Sequence, residues 1–250
     1  MSEATVRTSA QDAKAWPQRP ARLSGPVVQD LVDRIVAGEY PEGTNLPIEP
    51  ELCEMFAVSN TVIREAVKAI EAMRLVSVKQ GRGTTVRPIA DWDLVNTVVL
   101  SAMIAHDAES SILDDATDVR VALEGQMAGQ AATHATDVAV DEMRELLEKL
   151  HEQINDPAQF LIVDVAFHEA VMTASRNRLG RAVIRTIGAE ASRSSRYMGD
   201  PSPDDLFESN KGHDAVFEAI VAHDPEIAAK AMGDHIYTSW LRRQKNRTPR

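Results

Sequence analysis

Between Asn60 and Val86 the spacing of apolar residues changes once, and that change constrains the fold more than any other feature of the chain. In "FAVSNTVIREAVKAI" and just beyond, Ile63, Ala66, Val67, Ile70 and Met73 recur at three-and-four spacing, a helix with one buried stripe. Then Val76 and Val78 alternate with Ser77 and Lys79, Gly81-Arg82-Gly83 turns the chain, and "TTV" returns it, as in a β-hairpin. Upstream, "PVVQDLVDRIVAG" carries the same helical stripe through Val27, Val28, Leu31, Val32, Ile35 and Val36, with Gly38 as its C-cap. "EYPEGTNLP" is turn chemistry, "EPELCEMFAV" predicts a short second helix burying Leu52 and Phe56, and Ser59 is placed to cap the third. Three helices followed by a hairpin is the winged helix-turn-helix layout. In that layout the last helix enters the DNA major groove.

The polar side of the third helix fits such a partner. Asn60, Thr61, Arg64 and Lys68 form its exposed row, and Arg82 sits at the wing's tip between glycines that let the backbone approach phosphates. The formal net charge of −11 has to be divided to be informative. Residues 91–240 hold 27 Asp/Glu against 11 Lys/Arg, whereas residues 64–87 hold six basic and two acidic side chains. An acidic body with a local basic patch presents one surface to a polyanion. A helix-turn-helix with a purely structural or protein-binding role is the alternative reading.

The single cysteine, Cys53, excludes an internal disulfide framework and suits a reducing cytoplasm. No apolar run is long enough for a membrane span, and the N-terminus lacks the apolar centre of a signal peptide. The expected organisation is a disordered arm over residues 1–22, a DNA-binding domain over 23–88, a connector over 89–104, a helical domain over 105–243 and a basic tail over 244–250. The connector is expected to be partly helical, with Trp92 as an anchor.

Beyond residue 105 the chain reads as amphipathic helices separated by Asp156-Pro157, Asn177, Pro201/Pro203 and Asp224-Pro225, an antiparallel bundle. The fold class is therefore mainly α. Asp164 and His168 are four apart and share a helix face. His213 and His235 straddle the turn at Asp224-Pro225 at equal distance, so folding there brings them level on adjacent helices. One carboxylate and three imidazoles from three helices can bind Zn²⁺, Ni²⁺, Mn²⁺ or Fe²⁺. A helical Asp/His pair is also commonplace as a surface feature, so spacing alone leaves the two readings level. His106, His134, His151 and His223 lack comparable partners and are expected on the surface.

The N-terminal segment "GEYPEGTNLP" with "VSNTVIREAVKAIEAMRLVSVKQGRGTTV" resembles the DNA-binding domain of GntR-family transcriptional regulators over residues 26–88. By position, the resemblance places Ser59, Thr61, Arg64 and Gly81 where that family contacts DNA. Asn60 and Pro50 depart from arginines common in the family. Asparagine suits adenine better than guanine, so a different operator is implied. "DVRVALEGQMAGQAA", "VDVAFHEAVMTASRN" and "NKGHDAVFEAIVAHDPEIAAKAMGDHI" look like the all-helical FCD ligand-binding domain of FadR-type members over residues 105–240. That resemblance implies Asp164, His168, His213 and His235 as metal ligands, with Zn²⁺ first among the ions. It also implies a cavity in which the metal accepts a small carboxylate, and Arg120 as that carboxylate's partner. An ion pair between Arg120 and a bundle acid is the competing reading; Arg193, Arg196 and Asn210 are further residues considered for the cavity wall. "DWDLVNTVVL" resembles the connector of sugar-acid-responsive members.

No His-Glu-x-x-His, nucleophile elbow or phosphate loop is present, which argues against a metal-dependent hydrolase, the enzymatic alternative. The expectation is a homodimeric repressor on a pseudo-palindromic double-stranded DNA operator, released by a small organic acid. A metal-responsive regulator, in which the ion is the signal, is the other alternative.

Overall fold

The computed structural model describes residues 24–245. The expectations for the arm over residues 1–22 and for the end of the basic tail lie outside the described residues. Helices α1 (Ser24–Val36), α2 (Glu49–Phe56) and α3 (Asn60–Ala72) pack around Leu31, Val32, Leu52, Ile63, Ala66 and Ile70, the stripes read from the sequence. Gly38, at φ 79°, ends α1 in a left-handed conformation, its N–H donating to the Ile35 carbonyl at 3.0 Å. Strands β1 (Val76–Lys79) and β2 (Gly83–Val86) pair antiparallel with Val76 opposite Val86.

Details differ from expectation. Ser59 occupies the N-cap of α3, but its hydroxyl makes no capping bond. Val78 faces solvent, and Phe56 is only half-buried. "EYPEGTNLP" is more than a turn, because Asn45 bridges to Thr85 of the wing. Its Oδ1 accepts from the Thr85 hydroxyl at 2.7 Å, and its Nδ2 donates to the Arg82 carbonyl at 3.2 Å. That pairing joins distant residues and leaves no trace in local spacing.

The connector is mostly helix. After a short turn at Ile89–Asp91, α4 spans Thr97–His106, capped by Asn96, whose side chain accepts from the Val98 N–H at 3.0 Å. Trp92 packs against the N-terminal core and donates its Nε1–H to the Arg87 carbonyl at 2.9 Å. Helix α4 has no single polar face because it is buried on two sides. Val99 and Ala102 belong to the N-terminal core, whereas Leu100 and Ile104 pack with Ile187, Ala191 and Tyr197 of the C-terminal domain.

The remaining helices are α5 (Ser111–His134), α6 (Asp137–Glu152), α7 (Pro157–Ala174), α8 (Arg178–Ala191), α9 (Ser195–Met198), α10 (Pro203–Val221) and α11 (Pro225–Lys245). The segment "LGRAVIRTIGAEASRSSRYMG", expected as one helix, breaks after Ala191 into α8 and α9. Serines compete with helical hydrogen bonding through their hydroxyls, and Ser192 does so by donating to the Ala189 carbonyl at 3.1 Å. The bundle core is built on Met143, Leu150, Phe160, Phe167, Val216 and Ile220. Helices α5 and α11 lie closest, where a Cβ on Gly129 would stand 2.8 Å from the Pro225 carbonyl oxygen. Among the described residues no helix is long and apolar enough to cross a membrane.

Candidate functional site

Helix α7 contributes Asp164 and His168 from one face, α10 contributes His213, and α11 contributes His235. The chain reverses at Asp224-Pro225, where Asp224 accepts from the Ile227 N–H at 3.0 Å and starts α11. The reversal brings the His213 and His235 ring centroids to 4.1 Å, and His168 lies 5.2 Å from His235 and 5.6 Å from His213. One donor atom from each of the four residues lies within 4.8 Å of the others. All three histidines are buried and Asp164 is half-buried.

Neighbours set which ring nitrogen points inward. His168 Nδ1 lies 2.6 Å from Glu124 Oε2, so Nδ1–H donates to the carboxylate and Nε2 presents its lone pair to the cluster. Asn210 donates its Nδ2 to the Leu150 carbonyl at 3.1 Å, which turns its Oδ1 toward His213 Nδ1 at 3.4 Å. His213 Nε2 then sits 3.2 Å from Asp164 Oδ1, too poorly aligned for a hydrogen bond, and is buried without a partner. An unsatisfied buried nitrogen beside a carboxylate is costly unless a cation lies between them. The donor set fits a divalent ion on that ground.

Electrostatics agree. Burial pushes both His213 and His235 below the ordinary imidazole value, outweighing Asp164 at His213 and reinforced at His235 by the His213 and His168 rings. The neutral form is the one that ligates metal. Burial acts to raise the carboxyls of Asp164 and Glu124, but their cationic and imidazole neighbours prevail. Asp164 is held well below the usual range and Glu124 at about 2, so both are ionised at neutral pH.

Gly212 makes room for this arrangement. A Cβ there would stand 2.4 Å from His235 Nδ1 and 3.0 Å from its Cβ. Gly212→Ala is therefore expected to displace His235 and lower metal affinity by about tenfold to a hundredfold, on the scale of losing a ligand-orienting contact. Titration with a competing chelator reads it; unchanged affinity would show that His235 is not a ligand.

A cavity of about 340 Å³ opens beside Asp164 and His168, walled by α5, α7, α8 and α9. Arg120 lines it but is already engaged. Its Nε donates to Glu124 Oε1 at 2.6 Å, and Nη1 donates to the Tyr197 hydroxyl. The bundle-acid pairing is thus present in the structure. Burial opposes the Arg120 charge, but Glu124 and Tyr197 more than compensate, so its pKa is raised. The other residues considered do not line this cavity. Arg193 pairs with Glu190 at 2.8 Å, Asn210 backs His213, and Arg196 donates to the Asp107 and Ile104 carbonyls at the end of α4. Glu124 was missed by sequence reasoning. Its only local signal is the four-residue spacing from Arg120, which any surface ion pair shares.

At the other end of the chain, Ser59, Asn60, Thr61, Arg64 and Lys68 are all exposed along α3, and Gly81 and Arg82 are exposed at the wing turn. Arg64 Nε lies 2.9 Å from Glu49 Oε2 on α2, a solvent-exposed pair that sequence reading did not foresee. The four remaining histidines are exposed, as expected, and three of them lie beside an acceptor, His106 Nε2 being 3.8 Å from Asp33 Oδ1. His151 Nε2 is 2.9 Å from Asp214 Oδ1, and His223 Nδ1 is 2.9 Å from the Ala132 carbonyl oxygen.

A winged helix-turn-helix is thus joined through a buried helix to an all-helical domain that carries an Asp/His₃ cluster. Residues 23–86 match the family described as "Bacterial regulatory proteins, gntR family", and residues 115–238 match the FCD domain. The galactonate operon transcriptional repressor of Escherichia coli (strain K12) is 31% identical over 82% of this chain and 90% of its own length. The HTH-type transcriptional repressor NanR of Enterobacter sp. (strain 638) is 28% identical over 94% of this chain and 90% of its own length. Among solved structures, E. coli McbR/YncC superposes with a TM-score of 0.50 at 21% identity, covering 89% of this chain and 97% of that one. A Listeria monocytogenes structure, titled as Lar controlling the agr system, superposes with a TM-score of 0.56 at 14% identity, covering 90% and 98%. The chain belongs to the GntR family of transcriptional regulators and carries an FCD domain; it is not an enzyme.

Proposed function

We propose that this protein is a homodimeric repressor that leaves a pseudo-palindromic operator when a small organic acid binds beside a metal in the helical domain. The observation that carries this reading is continuity. The cluster of Asp164, His168, His213 and His235 opens onto a cavity whose wall, α8, packs by its other face on α4, and α4 is built into the DNA-binding core. Asp164, His168, His213 and His235 would hold the ion, Zn²⁺ being the first choice for mixed imidazole and carboxylate donors. When bound, the ion supplies a Lewis-acid position for a carboxylate oxygen. Arg120, which lines the cavity, would pair with the same carboxylate.

On the DNA side, Asn60, Thr61, Arg64 and Lys68 would face base edges and phosphates, flanked by Ser59, with Gly81 and Arg82 at the wing. A dimer presents two such surfaces, so operator symmetry mirrors protein symmetry. The acid acts only through differential affinity for the bound and released states.

Helix α9 supplies a mechanical link between the two ends. Tyr197 accepts from Arg120 in the cavity, while the adjacent Arg196 holds the carbonyls that end α4. Arg196→Ala is expected to leave acid binding in place and to uncouple it from DNA release. Thermal melting reads the first property, and binding to a duplex selected from a random-sequence pool reads the second. Release that survives in the variant would remove α9 from the pathway.

The test of the whole reading is thermal melting with a panel of small carboxylates, in metal-loaded and chelator-treated forms. An acid at a hundred times its dissociation constant adds about 2.7 kcal/mol, a shift of several degrees. Stabilisation of the loaded form alone supports the effector site. A shift from metal alone, with no acid adding to it, favours the metal-responsive alternative.

A further inference from the structure

From the distribution of polar groups in the cavity we infer that the effector is a monocarboxylic acid with an apolar body, not a polyhydroxylated sugar acid. This rests on the carboxylate reading above and narrows the ligand class.

Most polar groups of the cavity lining are spent on each other. Arg120 and Glu124 pair at 2.6 Å, Glu124 also holds His168, and Tyr197 accepts from Arg120. Glu169 accepts from Arg181 at 2.6 Å and has Arg185 at 4.0 Å, while the Arg243 guanidinium lies 5.2 Å over the Tyr197 ring. The rest of the wall is Leu161, Val165, Met172, Ile184 and Met198, with Gly188 and Ala189. Met172 and Ile184 are each no more than 5% exposed, so they form a floor that a ligand would cover. Ser192 supplies one hydroxyl, and it already donates to the Ala189 carbonyl.

A sugar acid would carry a hydroxyl on nearly every carbon into this wall. Each hydroxyl stripped of water without a hydrogen-bond partner is penalised. Methylene groups in the same position gain from leaving water. The cavity therefore selects an amphiphile: a carboxylate head at Arg120, Asp164 and His168, and a hydrocarbon body against the apolar residues of α7 and α8.

Hexanoate and gluconate make a matched pair, with six carbons and one carboxylate each and a difference only in hydroxylation. The experiment is calorimetric titration of the Zn²⁺-loaded full chain with hexanoate, gluconate and acetate, repeated on Leu161→Asn. The expected result is hexanoate binding about tenfold to a hundredfold tighter than acetate, from the added buried methylenes, with gluconate no tighter than acetate. Leu161→Asn should erase most of the hexanoate advantage and leave acetate unchanged. Gluconate binding tighter than hexanoate, or hexanoate binding no better than acetate, overturns the apolar body while leaving the carboxylate site standing. Binding of none of the three overturns both readings.

Discussion

If the cluster holds an ion as proposed, the unaltered chain is expected to purify with about one transition metal per chain and the Asp164→Ala/His213→Ala variant without it. Two of the four converging donors are lost, including the only carboxylate of the set. Structural Zn²⁺ sites draw about 10–16 kcal/mol from their ligands together, so halving the set removes tight binding. The double change also deletes a half-buried carboxylate and the unpartnered His213 Nε2 at the same time. It therefore avoids leaving either group alone in the interior. DNA binding should persist in the variant, because α1, α2, α3 and the wing share a separate core built on Leu31, Ile63 and Ile70. Elemental analysis of the purified protein decides the first point, and binding to an in vitro selected duplex decides the second. Stoichiometric metal in the variant would sink the assignment of the site.

Arg64→Ala is expected to abolish sequence-specific DNA binding while leaving the fold unchanged. The side chain is 63% exposed, and its pairing with Glu49 is a surface ion pair that adds little stability. A bidentate arginine–guanine contact contributes about 1–3 kcal/mol of discrimination, and a dimer makes such a contact twice. The specific complex should weaken by about tenfold to a hundredfold per half-site, with the melting temperature unaltered. Glu49 gives the prediction a second edge. If Arg64 must leave Glu49 to reach a base, Glu49→Gln should not weaken binding, whereas Arg64→Ala should. Full operator affinity in Arg64→Ala would mean that α3 does not enter the groove by this face.

Where sequence reading succeeded, the information was local and periodic. The stripe of Ile63, Ala66, Val67 and Ile70 is buried as its spacing demanded, because a helix repeats every 3.6 residues whatever it packs against. The equal offsets of His213 and His235 from Asp224-Pro225 brought the rings together for a similar reason. Two helices joined by a tight turn keep their register. Three misreadings were non-local. Asn45 pairs with the wing across about forty positions, Glu124 reaches His168 from another helix, and Arg196 caps α4 from about ninety positions further along the chain. The break between α8 and α9 was hidden because "SRSS" is weakly unfavourable in a helix without being forbidden there.

The sequence by itself therefore determined the two-domain plan, the exposed row on α3, and the four residues that meet in the bundle. The row on α3 and the two pairs Asp164/His168 and His213/His235 follow from spacing along one helix or one helical hairpin, while the resemblance to the FCD domain joined the two pairs. Only the tertiary structure decided which imidazole nitrogen faces inward, that Arg120 is held by Glu124 and Tyr197, and that the cavity wall beyond them is apolar. Those outcomes depend on which helices become neighbours. Neighbours are chosen by the shape of the whole packed core, and no local pattern in the chain encodes that shape.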